Sequence, residues 1–157
     1  MKLPPPEKIY EAWSALASGR FASDANPVSP EGDATIISSG GQKEYRVHWQ
    51  DNIFFANDPA SWWQGYAGYP VLAALMFRNM LPYDPDIANL FASVQWEKIN
   101  KKAARNYALA LEYAMSDLKL SDTDQEKARA FAGQTFSRLQ ELPIEVRRLS
   151  RQKHASQ

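Results

Sequence analysis

Nine consecutive residues, Tyr69 to Phe77, read Tyr-Pro-Val-Leu-Ala-Ala-Leu-Met-Phe and carry no charge. Wound as a helix they extend about 14 Å, well short of a bilayer core of roughly 30 Å, so they predict a helix enclosed by protein. A helix that is apolar on every side needs neighbours on every side. The rest of the chain must therefore supply enough elements to surround this one. Pro70 lacks an N–H and collides with the turn before it, which predicts a kink or break near Gly68 to Pro70. Upstream, Asp58-Pro59 reads as a helix start, with a capping carboxylate and proline at the first helical position. The stretch from Asp58 to Leu81 thus divides into an aromatic first part and an apolar second part.

The flanking sequence supplies the covering elements. After the extended Pro4-Pro5-Pro6, the residues Ile9, Tyr10, Trp13, Leu16 and Ala17 recur at helical spacing, and Gly19 suits the stop. Proline and glycine between Arg20 and Asp33 predict a flexible surface loop over residues 20–33. Ala34 to Ser38, then Tyr45, Val47 and Trp49 alternating with polar residues, then Ile53 to Phe55, predict a three-stranded antiparallel meander. Gly40-Gly41 and Asp51-Asn52 are its turns. Three strands do not stand alone, so their apolar face must pack on helices. Asp84-Pro85 opens a further helix to about Val94, and a stripe from Trp96 through Ile99, Ala103, Tyr107, Leu111 and Leu118 predicts one long helix. Ser121 then caps a last helix carrying Ala128, Phe131, Ala132, Thr135, Phe136 and Leu139 inward, which Pro143 interrupts. The tail from Glu145, and residues 150–157 above all, is expected to fray. The fold class is α+β, predominantly helical, with the meander after the first helix and about four further helices around it.

At 157 residues the chain suits one domain, 1–157. Eighteen basic side chains balance eighteen acidic ones, which disfavours a wholesale polyanion binder. The halves differ modestly: from Trp96 onward there are twelve Lys and Arg against eight Asp and Glu. The lack of cysteine excludes disulfides, thiolate nucleophiles and Cys-ligated metal centres. The N-terminus lacks the apolar run of a secretory signal. A soluble, cytoplasmic protein without membrane contact is the expectation.

Three sets of residues invite a functional reading. Trp62, Trp63, Tyr66 and Tyr69 lie beside Gly65 and Gly68, and four large rings cannot all point inward from so short a segment. Some of them would line a ligand pocket or a partner surface; the competing expectation is that they pack on the sheet and on Trp13. His48, on the outward face of its strand, could meet Asp51 or Asp58 and act as a general base. A solvent-facing histidine explains the same residue. Lys98, Lys101, Lys102 and Arg105, with the tail residues Arg147, Arg148, Arg151 and Lys153, could neutralise phosphates. A solvated amphipathic helix, with Glu97 pairing Lys101, accounts for them more simply. No P-loop, dinucleotide fingerprint, nucleophile elbow or metal-ligand motif is present, and His154 in the tail is the only other histidine.

The best expectation is a non-enzymatic domain that binds a small molecule or a protein through its aromatic seam, with no cofactor and no metal. A homo-oligomer is possible, because five Trp in a chain this size are hard to hide in one core. The alternatives are a metal-independent hydrolase or lyase using His48 and an Asp, and a weakly nucleic-acid-associated protein.

Overall fold

The computed structural model describes residues 2–150 and is a mixed α+β fold. Helix α1 (Lys8–Ala17) is followed by strands β1 (Phe21–Ala22), β2 (Glu31–Ile37), β3 (Glu44–Gln50) and β4 (Ile53–Ala56). A π-helical turn (Ala60–Gln64) leads to α2 (Tyr69–Phe77), α3 (Pro85–Asn89), α4 (Trp96–Lys102), α5 (Tyr107–Asp117) and α6 (Asp122–Glu141). Strand β5 (Glu145–Arg148) ends the described chain. No helix among the described residues is long and apolar enough to cross a membrane.

The expected meander is present as β2, β3 and β4, but the sheet has five strands in the order β1-β2-β3-β4-β5. Strand β1 adds two residues beside β2 within the expected 20–33 loop, pairing Phe21 with Ile36. Strand β5 joins β4 in parallel, Phe54 facing Val146, after a crossover that contains every helix from α2 to α6. The segment from Glu145 to Arg148, expected to fray, instead continues the sheet, held by its pairing with β4. Arg151, Lys153 and His154, and the rest of the expected frayed tail beyond Ser150, lie outside the described residues.

Helix α2 is enclosed as its composition requires: Pro70 to Met76 are all buried, with Pro70 in its first turn. It begins afresh there, so of the expected kink or break it is a break. On one side lies α1, whose residues Lys8 to Ala15 are all buried and which Gly19 ends in the left-handed region (φ 75°). On another is the inner sheet face, where Val47, Trp49 and Phe54 are buried. Trp13 packs edge-on to Tyr10 at 4.8 Å and lies 5.8 Å from Phe91 and 5.9 Å from Phe131, tying α1 to the turns after α3 and to α6.

Further differences from the sequence expectations have local causes. Helix α3 stops at Asn89, and residues up to Val94 form looser turns. Its start is as expected, with Asp84 accepting from the N–H groups of Asp86 and Ile87. Six helical segments follow α1 among the described residues, because the predicted long helix from Trp96 is two. Ala104 and Arg105 both adopt left-handed backbone, φ 52° and 65°, and Asn106 then caps α5 by accepting from Leu109 N–H at 3.1 Å. Two successive non-glycine residues in that region cost on the order of 1 kcal/mol each, so the break is held by its surroundings. Glu97 pairs with Lys43 of the β2–β3 turn at 3.6 Å instead of the anticipated Lys101.

Candidate functional site

The break after α4 opens onto a cleft of about 970 Å³ between the N-terminal half of α1, the β2–β3 turn, the segment 58–69 and α4. Its floor is polar. Lys8 and Glu11, one turn apart on α1, form a buried ion pair at 3.2 Å, and the Lys8 ammonium also sits over the Tyr107 ring at 4.3 Å. Asp58, 3% exposed, caps the π-helical turn by accepting from Ser61 N–H through Oδ2 at 3.2 Å. Its close packing depends on Gly68, where a Cβ would overlap Asp58 Oδ2. The Gly68 N–H in turn donates to Ser61 Oγ at 3.3 Å. A four-residue link, 65–68, with Gly65 in the left-handed region and Tyr66 bridged to Lys2, connects this turn to α2.

Three buried acceptor atoms of the cleft residues have no protein hydrogen-bond donor: Asp58 Oδ1, Glu11 Oε2 and Asn100 Oδ1. For Glu11 the Lys8 ammonium is close enough for charge attraction but lacks hydrogen-bond geometry. Burial pushes the Asp58 carboxyl above its ordinary range, against the opposing hydrogen bonds from Ser61. It does the same to Glu11, with Lys8 opposing. An unpaired buried acceptor costs roughly 1–3 kcal/mol, so this floor is a concentrated departure from the usual pairing of interior polar groups.

The walls are aromatic. Tyr45, Tyr66, Tyr69, Trp96 and Tyr107 line the cleft, and Trp63 stands at its mouth, 73% exposed. Trp96 is held from behind: its indole N–H donates to Ser14 Oγ at 2.7 Å, and that hydroxyl also bonds the Phe91 carbonyl at 2.6 Å. The β2–β3 turn is fastened to α4 by Ser39 Oγ, which accepts from Glu97 N–H at 2.9 Å. At the rim lie Arg20, Lys43, Lys101 and Arg105.

The residues singled out from sequence fall in different places. Tyr66, Tyr69 and Trp63 share the cleft, whereas Trp62 lies outside it with the Arg148 guanidinium 5.1 Å over its ring. Tyr69 stands edge-on to Tyr45 of the sheet at 6.3 Å, and the ring contacts of Trp13 are with Tyr10, Phe91 and Phe131. Asp58 is in the cleft but His48 is not. His48 Nδ1 meets Asp33 across the β2–β3 ladder at 2.8 Å, and neither Asp51 nor Asp58 is its partner. Lys101 and Arg105 face the cleft, while Lys98 and Lys102 line a smaller groove against α5. Arg147 pairs with Glu145. Among the described residues no group of three His, Asp or Glu is placed to hold a metal ion.

Lys8, Glu11, Asn100 and Ser14 were not among the sequence candidates. Lys8 and Glu11 looked like the polar face of an amphipathic helix. The available signal was the requirement that α2 be covered on all sides, which buries α1 all round and so removes its solvent face.

An α+β protein with a polar-floored, aromatic-walled cleft is the class that this architecture defines. The chain belongs to the family described as uncharacterised conserved protein UCP014422, which it matches over residues 1–145. The whole cleft falls within that span; Arg147 and Arg148 lie beyond it. No curated protein and no solved structure is similar enough to match.

Proposed function

We propose that this protein is a non-enzymatic, cytoplasmic small-molecule-binding protein whose site is the cleft between α1, α4 and the 58–69 segment. The observation that carries the reading is the buried carboxylate of Asp58, one oxygen of which receives no hydrogen bond from the protein, beside the Lys8–Glu11 ion pair in the floor of the same cleft. Buried polar atoms are normally satisfied, and a concave site is where a ligand supplies the missing partners. The exposed indole of Trp63 at the mouth supports the same reading, since a ring there can close over an occupant. The volume suits a molecule larger than an ion, near the upper end of the roughly 300–1,000 Å³ of ligand pockets. The single-turn π-helix that carries Trp63 is a rare conformation that is frequent at functional sites.

A screen of a metabolite library by thermal shift and tryptophan emission tests it. A hit should raise the melting temperature and change emission, and Trp63→Phe should reduce the emission change. A library that moves neither signal, for the wild-type protein at millimolar ligand, would overturn the proposal.

A further inference from the structure

Resting on that reading, we infer that the occupant is a nucleotide-class anion: a planar base with N–H donors directed at the Asp58 and Glu11 end, and a phosphate held by Arg105, Lys101 and Arg20. The charges of the lining divide in a way that calls for this polarity. Two of its cations are already matched, Lys8 by Glu11 at 3.2 Å and Lys43 by Glu97 at 3.6 Å. Lys101 and Arg105 have no carboxylate partner among the described residues, and Arg20 spends its hydrogen bonds on Ser18 Oγ and the Ile37 carbonyl. Lys101 and Arg105 thus remain unpaired at the rim, with the Arg20 charge, which also acts on Glu11 and Tyr69, beside them, against one unmatched carboxylate, Asp58, in the floor.

The backbone gives a second, independent indication. Arg105 reaches the cleft from a left-handed conformation that follows another in Ala104. Strain of this kind clusters at ligand clamps, where the surrounding structure holds an otherwise unfavourable geometry. A guanidinium so placed is suited to bidentate phosphate recognition. The base end follows from the acceptors. Asp58 Oδ1 receives no hydrogen bond from the protein in a residue 3% exposed, and it stands among tyrosine and tryptophan rings that stack a flat heterocycle without regard to its polarity. Amide and amine N–H groups of a base supply donors in the ring plane, which a sugar or an aliphatic acid does not.

Titration with GMP, AMP and guanosine, followed by tryptophan emission and by calorimetry, tests the assignment. GMP should bind, and guanosine at least tenfold more weakly, because it lacks the phosphate. Arg105→Asn keeps a residue that tolerates the left-handed backbone. It should bring GMP affinity down towards that of guanosine and leave guanosine unchanged, and Lys101→Ala should do the same to a smaller degree. Asp58→Asn should weaken GMP and guanosine alike. Equal affinity for GMP and guanosine, or GMP binding untouched by both cation variants, would overturn the phosphate assignment. If neither GMP nor AMP binds while a neutral library compound does, the nucleotide inference falls and the ligand-binding reading stands. If nothing binds, both fall.

Discussion

Helix α1 is enclosed along its first eight residues, yet its two halves meet opposite surroundings. Trp13 lies in contact range of the Tyr10, Phe91 and Phe131 rings, and its indole N–H meets no acceptor in the protein. One turn earlier, Lys8 and Glu11 are equally hidden but form the floor of an open cleft with Asp58 and Asn100. The first surrounding stabilises the fold, and the second costs it stability through acceptors that the protein itself does not satisfy. Burial alone therefore does not separate scaffold from site. What separates them is where the unpaired atoms lie: those of Glu11, Asp58 and Asn100 are oxygens of residues that line one cleft, whereas the unpaired Trp13 N–H is enclosed away from it.

Substitutions can break this contrast. The largest effect belongs to the scaffold half: Trp13→Ala should lower unfolding free energy by about 3–5 kcal/mol in urea melts, as a fully buried ring is replaced by a cavity. Retention of near wild-type stability would show that α1 is not the packing centre described here. At the junction of the two regions, Gly68→Ala forces a methyl into the place of Asp58 Oδ2. The glycine backbone there is extended, φ −71° and ψ 173°, so the cost is steric alone, about 1–3 kcal/mol. Thermal denaturation should register it together with a change in any ligand response. Ser14→Ala strands the Trp96 indole N–H and should cost about 1–3 kcal/mol while loosening one cleft wall, measurable as a red shift in tryptophan emission. Smallest is Trp63→Ala at the cleft mouth, expected within about 0.5 kcal/mol of wild type by urea denaturation because little packing is lost. A large destabilisation would mean that Trp63 is structural.

Much of the scaffold half was legible in the sequence. Charge-free residues on every face announced α2 as enclosed, and Asp84-Pro85 and Ser121 marked helix starts that the backbone uses: Asp84 caps α3 and Ser121 accepts from Asp124 N–H at 3.1 Å. The site half was harder to read. Tyr66, Tyr69 and Trp63 were visible as surplus rings, and Asp58 as a cap. The surroundings of Asp58 were not visible, because Lys8 and Asn100 line the same cleft only through tertiary packing and carry no local signature. The αL pair Ala104-Arg105 was hidden by good helical spacing on either side, with only Asn106 as a possible cap. Strand β5 was obscured by its charges, although Ile144 and Val146 alternate towards the core, with Arg147 and Arg148 at the outer edge of the sheet.

The pH response of Asp58 bears most directly on the claim that the cleft floor is held at a cost in stability. Its carboxyl titrates higher in the folded protein than its ordinary unfolded value near 4, because of burial. The folded state therefore holds the proton more tightly. The stabilisation from that proton is fully present below about pH 4 and is lost as pH rises through the raised folded value. Asn in place of Asp mimics the neutral acid and can still accept from Ser61 N–H. The decisive measurement is the melting temperature of Asp58→Asn against wild type at pH 7 and below pH 4. The account predicts that the variant melts a few degrees higher at pH 7, as about 1 kcal/mol would produce in a chain of this size, and that the difference closes at low pH. A variant that is less stable at pH 7, with the gap unchanged in acid, would show that the Asp58 carboxylate is satisfied in the fold and would contradict it.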